Sequence, residues 1–134
     1  MDSIWKTSVW QQLGAAIDML ENAMRDAPER IWDDRSRNPE FWYLVFHTLF
    51  FLDLYLSGSE EGFAPPPPFT LDELDPAGVL PEQPYTKREL QGYFDHCRGK
   101  CRAVIESLTE ESARRRCGFV WGEVSFGELL LYNM

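Results

Sequence analysis

The chain has 134 residues, enough for one domain with a buried core. An apolar share of 44%, with 14% aromatic, excludes a disordered chain. Twenty-two acidic against 13 basic residues leave a net charge of −9, which repels a phosphate backbone and excludes nucleic-acid binding unless a local basic patch exists.

The N-terminus, MDSIWKTSVWQQ, lacks the basic start and long apolar run of a signal peptide. Three cysteines, an odd number, then read as reduced thiols, and the protein as soluble and cytoplasmic. Residues 3–27 form the first predicted helix. Val9, Leu13, Ala16, Leu20 and Ala23 recur at steps of three and four, and Trp5, Trp10, Ile17 and Met24 widen that stripe. Ser3 is placed to cap its start, and Pro28 marks its end. The link from Pro28 to Arg37 is short and charged, which makes the first two helices antiparallel neighbours.

The second helix is predicted over 39–56. Its stretch FWYLVFHTLFFLDLYL, Phe41 to Leu56, is apolar almost all the way round, with only His47, Thr48 and Asp53 interrupting it. Such a helix, too short for a membrane span, belongs at the centre of a bundle. Asn38 reads as its cap, Pro39 as its first helical residue, and Gly58 as its left-handed stop.

Residues 57–85 carry the run Pro65 to Pro68, then Pro76, Pro81 and Pro84, and no long helix fits there. A stiff polyproline segment is expected at Pro65 to Pro68. The stretch reads as a crossover strap anchored by Phe63, Phe69, Leu71, Leu74 and Leu80, in preference to a ligand for a proline-binding module. A link this long lets the third helix run parallel to the second.

That third helix, 86–108, opens on the capping box Thr86-Lys87-Arg88-Glu89. Leu90, Phe94, Cys97, Cys101, Val104 and Leu108 form its buried seam. Arg88, Asp95, Arg98, Lys100, Arg102 and Glu106 fall largely on the solvent side. Thr109 is placed to cap a further turn. Arg114-Arg115-Arg116, the one basic run, reads as a solvated turn. Residues 117–124 read as an extended connector or short hairpin. Ser125-Phe126-Gly127-Glu128 is a second capping box that opens a fourth helix, and the sequence is expected to stop inside it. No internal repeat and no second domain interrupt residues 1–134.

His47 is the first residue with chemistry to offer. Catalytic zinc takes about three protein ligands plus water, so one imidazole is not a metal site. On spacing alone His47 reads as a core histidine hydrogen-bonded to a neighbour. Asp53 lies about 120° round the helix from it, so it is not a co-ligand and instead caps or pairs near the helix end. Cys97 and Cys101 lie four apart, and with His96 and Cys117 they supply the atoms of a structural zinc site. Their seam positions instead make them small buried hydrophobes, reduced and metal-free. A nucleophilic His96–Cys97 pair is disfavoured, because adjacent helical residues point about 100° apart. There is no glycine-rich phosphate loop, serine elbow or HExxH.

FWYLVFHTLFFLDLYLSG, the proline-rich strap, YTKRELQGYFDHCRGKCRAVIESL and WGEVSFGELLLYNM together resemble the DinB-like four-helix-bundle family. The resemblance covers the whole chain in element order. It implies an all-α, up-down-down-up bundle with a long crossover after helix two and, in this chain, an incomplete helix four. It also implies a divalent metal, nickel or zinc, held by one histidine on helix two and a histidine pair on helix four. Related members transfer low-molecular-weight thiols onto electrophiles. His47 matches the helix-two ligand. The pair is not in this chain, whose only other histidine is His96. The expected function is therefore a divalent-metal-binding protein, a metal-dependent thiol S-transferase or hydrolase acting on a small molecule. The alternative is a non-catalytic dimerising bundle or binding protein. The metal is expected in an intact site and absent or weak in this chain. A homodimer is expected, with no nucleic acid and no membrane.

Overall fold

The computed structural model describes residues 2–134. The chain is mostly helical, with one small sheet. Helix α1 spans Ser3–Asp26, and its cap is Asp2 rather than Ser3: the Asp2 carboxylate accepts from the Ile4 N–H at 2.9 Å. Its buried stripe is Val9, Leu13, Ile17, Glu21 and Met24. The stripe is thus rotated from the expected one, and Ala23 is exposed. Ile17 and Met24 bury more apolar surface than the alanines they displace.

The link that follows contains a helix the sequence reading missed, α2, Glu29–Trp32. Trp32 is buried and donates its indole N–H to the Tyr85 carbonyl at 3.0 Å. Helix α3 spans Phe41–Ser57. Neither Asn38 nor Pro39 starts it, because Glu40 is still extended at φ −69°, ψ 150°. The Glu40 carboxylate accepts from the Trp42 indole at 2.7 Å and pairs with Arg35 at 3.2 Å. Gly58, at φ 75°, ends the helix in the left-handed region, where its N–H meets the Tyr55 carbonyl at 3.0 Å.

Between Gly58 and Thr86 the strap divides in two. Its first half turns inward. Phe63 and Phe69 are buried, and Phe69 stacks on Tyr93 at 4.4 Å between ring centroids. The expected polyproline segment is broken by a turn in which the Phe69 N–H donates to the Pro66 carbonyl at 3.0 Å. A short 3-10 turn, Leu71–Leu74, follows. Leu71 and Leu80 are exposed and do not anchor the strap. The second half, Asp75 to Gln83, is almost wholly exposed.

Helix α4, Lys87–Glu106, has the Thr86–Glu89 capping box, with bonds of 3.1 and 3.0 Å. It buries Leu90, Tyr93, Phe94, Cys97, Cys101 and Ile105. Helix α5, Glu110–Arg114, is capped by Thr109. Strands β1, Arg116–Phe119, and β2, Gly122–Ser125, form an antiparallel hairpin that pairs Cys117 with Val124. Helix α6, Phe126–Tyr132, carries the Ser125–Glu128 capping box. The arginine run is consumed locally, since Arg115 lies over the Phe126 ring at 4.8 Å and Arg116 pairs with Glu123 at 2.9 Å.

Side-chain contacts give the helix directions. Lys6 reaches the Glu106 carbonyl at 2.7 Å and Arg98 reaches Asp18 at 3.0 Å, so α4 runs against α1. Cys97 meets the Leu49 carbonyl at 3.6 Å and Lys100 meets the Ser57 hydroxyl at 2.6 Å, so α4 runs with α3. Phe126 lies beside Gly58, while Asn133 reaches the Leu52 carbonyl at 3.4 Å, so α6 runs against α3. No helix among the described residues is long and apolar enough to cross a membrane.

Candidate functional site

His47 sits at the middle of α3, on the face turned toward the strap and α1. Its side chain is 46% exposed, so it is not a core histidine. The strap supplies its partner. Glu73 comes in from the 3-10 turn, and its Oε1 lies 2.6 Å from His47 Nδ1. Tyr43, one turn earlier on α3, donates its hydroxyl to the same oxygen at 2.7 Å. The Glu73 side chain is only 5% exposed. A buried carboxylate is held this way when donors converge on it. Burial and the bond to Glu73 push the Tyr43 hydroxyl up to about 12, so it stays protonated and remains a donor at neutral pH. Phe51, one turn after His47, packs on the imidazole at 4.8 Å.

Beyond the imidazole lies a cavity of about 330 Å³. Leu13, Ile17 and Leu20 of α1 form one wall and Phe51 and Leu52 of α3 another. Tyr132, Asn133 and Met134 close the third side. His47 lines this cavity; Glu73 does not.

The donor set does not fit the expected metal. Among the described residues no group of three His, Cys, Asp or Glu side chains comes together. His47 and Glu73 are joined through a hydrogen bond, and the carboxylate oxygen concerned already accepts from both Nδ1 and Tyr43. The residues around His47 therefore supply one imidazole toward the cavity, not a ligand set.

The second histidine belongs to a different cluster. Asp53 is fully buried on the α4 side of α3. It accepts from Tyr93 at 2.9 Å and from Lys100 at 2.7 Å, and His96 Nε2 lies 3.1 Å from it. Asp53 thus pairs across helices and does not cap. Lys100, expected on the solvent side, folds inward: its ammonium also bonds the Asp53 carbonyl at 3.0 Å and lies 5.4 Å over the Phe63 ring. The sequence held a signal for this cluster. Tyr93, His96 and Lys100 recur at steps of three and four along one strip of α4, opposite the one charged residue of an apolar helix. Glu73 had no such signal, because its position depends on the path of the strap.

Cys97, Cys101 and Cys117 are unpaired and buried. Burial pushes both the Cys97 and the Cys101 thiols up, the latter to about 11. Neither is a ready nucleophile. His96 bonds Asp53, so no Cys97–His96 pair forms.

Compared with known families, residues 12–134 match the model described as the DinB superfamily. No curated protein and no solved structure matches the chain.

Proposed function

Because the chain belongs to the DinB superfamily, we propose that it is a small-molecule-binding four-helix bundle whose site is the cavity beside His47. In this reading α1, α3, α4 and α6 make the up-down-down-up arrangement, and the strap is its crossover. The hydrogen bonds that set the helix directions support it. One observation carries the functional reading. His47, held at Nδ1 by Glu73 at 2.6 Å, lines a mainly apolar cavity of about 330 Å³ together with the polar side chains of Thr48, Tyr132 and Asn133. That volume is at the small end of ligand pockets, roughly 300–1,000 Å³. Amide chemical-shift mapping with small apolar probes tests it. Shifts should concentrate at Ile17, His47 and Leu52, and shifts confined to other surfaces would refute the site.

His47 is also the residue we propose as a ligand for nickel or zinc. The residues present supply one imidazole, so a divalent ion would be held weakly and with water in its remaining positions. They carry no step of metal-dependent thiol transfer or hydrolysis. Calorimetric titration with either metal should show no binding, or weak binding that His47→Ala removes. Tight binding that survives His47→Ala would exclude His47 as a ligand. The unpaired cysteines support a reducing, cytoplasmic setting.

A second reading, a homodimer acting as a scaffold without turnover, is favoured by the apolar surface of the hairpin tip and α6. Val120 is 96% exposed, and Trp121, Leu131 and Tyr132 are also exposed. Sedimentation velocity over a range of concentrations should show dimer, and a monomer throughout would refute it.

A further inference from the structure

A second hollow, of about 350 Å³, opens where the tip of the β1–β2 hairpin meets α3 and the strap. Phe51 and Tyr55 of α3 line it, with Phe119 and Trp121 of the hairpin. Phe119 and Trp121 lie parallel, 5.7 Å between centroids and 4° between planes. Tyr55 stands across both, at 74° and 77°, with centroids 5.1 and 6.1 Å away. Rings set at near right angles around one hollow are the arrangement of an aromatic cage. The corner is braced: the Trp121 indole N–H donates to the Tyr55 hydroxyl at 3.1 Å, and Tyr132 stacks on Trp121 at 5.0 Å.

The charged side chains on this hollow all have one sign. Glu60, Glu73 and Asp75 line it, and no basic side chain does. Glu60 and Asp75 are exposed, and neither forms an ion pair among the described residues. Asp75 takes only a local bond, from the Ala77 N–H at 2.9 Å. Glu73 has one oxygen engaged by Tyr43 and His47. The Tyr55 hydroxyl is the one side-chain donor left, set against three carboxylates. An anion would be repelled, and a neutral apolar ligand would desolvate carboxylates with no counter-charge in return. A hard metal ion needs converging oxygen ligands, and no such group comes together here.

We propose that this hollow binds an alkylated ammonium group, the head of a small organic cation. The aromatic rings take the alkyl groups, which carry the positive charge outward, and Glu60 and Asp75 supply the counter-charge. The net charge of −9 adds long-range attraction for such a ligand. The volume, at the small end of ligand pockets, suits a free small molecule. The site is independent of the His47 cavity, since Phe51 alone lines both.

Chemical-shift mapping with choline and with its neutral isostere, 3,3-dimethylbutan-1-ol, tests it. Choline should shift Phe119, Trp121 and Asp75 and bind about fivefold more tightly than the isostere. Glu60→Gln with Asp75→Asn, both at exposed positions, should erase that preference and leave the isostere's affinity unchanged. Trp121→Leu, which keeps an apolar wall but removes the ring, should weaken choline more than the isostere. Equal affinity of the two probes, or a preference that survives the paired substitution, would overturn the proposal. Choline shifts confined to Ile17 and Leu52 would also overturn it, while favouring the His47 cavity. Tighter binding of a trimethyllysine peptide than of choline would overturn the small-molecule source.

Discussion

Replacing Asp53 by alanine should be the most damaging single change at a polar residue of this chain. The carboxylate is fully buried and bonded to Tyr93 at 2.9 Å and Lys100 at 2.7 Å, with His96 Nε2 at 3.1 Å. Its loss leaves the Tyr93 hydroxyl without its acceptor and the Lys100 ammonium without a counter-charge, held only by the backbone carbonyl at residue 53 and the Ser57 hydroxyl. Removing one partner of a buried pair costs about 3–5 kcal/mol. The Lys100 side chain is 26% exposed, so water relieves part of its charge and the lower figure, about 3 kcal/mol, applies. At an unfolding entropy of about 2.1 cal/mol/K per residue, 134 residues turn that into a fall in Tm of about 11 °C. Urea unfolding followed by the fluorescence of the five tryptophans measures it. The double variant Asp53→Leu with Lys100→Met removes both charges and should be more stable than Asp53→Ala, its main remaining cost being the Tyr93 hydroxyl, about 1–3 kcal/mol. A loss under about 1 kcal/mol for Asp53→Ala, or a double variant as unstable as the two single changes added together, would refute the reasoning.

Burial alone would raise the Glu21 carboxyl. The Gln91 and Arg98 hydrogen bonds, with the charges of Arg98 and Arg25, outweigh it and hold the group below its ordinary 4.5. A lowered carboxyl stabilises the fold above its unfolded value, and that contribution is lost as pH falls through the folded one. Glu21→Gln should therefore be less stable than the parent at pH 7, with the difference shrinking below about pH 4.5 in acid titrations; a gap independent of pH would contradict this. Gly58→Ala should lower stability by at least about 1 kcal/mol, since φ is +75° and an added Cβ would lie 2.6 Å from Arg115 Nη2; an unchanged Tm would count against it. A thiol reagent should label Cys97, Cys101 and Cys117 slowly in the native protein and fast in urea, and rapid native labelling of Cys97 and Cys101 would show that burial does not protect them.

The parts of this structure governed by local rules could be read from the chain. The capping boxes at Thr86–Glu89 and Ser125–Glu128 depend on residues three apart, and both form. The start of α3 misled because Asn38-Pro39-Glu40 satisfies the same local rule, while the Glu40 side chain is engaged by Trp42 and Arg35. Lys100 was placed outside by its position on the helical wheel, but a four-carbon stem carries its ammonium back to Asp53. The His47 partner was beyond reach for a different reason. Glu73 is 26 residues away, and its approach is set by Phe63 and Phe69 seating the strap, which no periodicity encodes.

The two halves of the strap differ in what a change of length would do. From Gly58 to Leu74 the backbone is pinned by buried phenylalanines and by Glu73, so an added residue would shift a side chain out of its seat. From Asp75 to Gln83 the chain is an exposed tether that delivers Tyr85 to Trp32, takes one bond from Arg35 at the Glu82 carbonyl at 3.2 Å, and lies at Gly78 to Leu80 along a hollow shared with Tyr43 and Glu73. Doubling a flexible tether costs only about 0.6 kcal/mol in closure entropy. Around Gly78, then, the protein offers a splice point where new termini, or a guest sequence, join the outside of the molecule without touching the histidine.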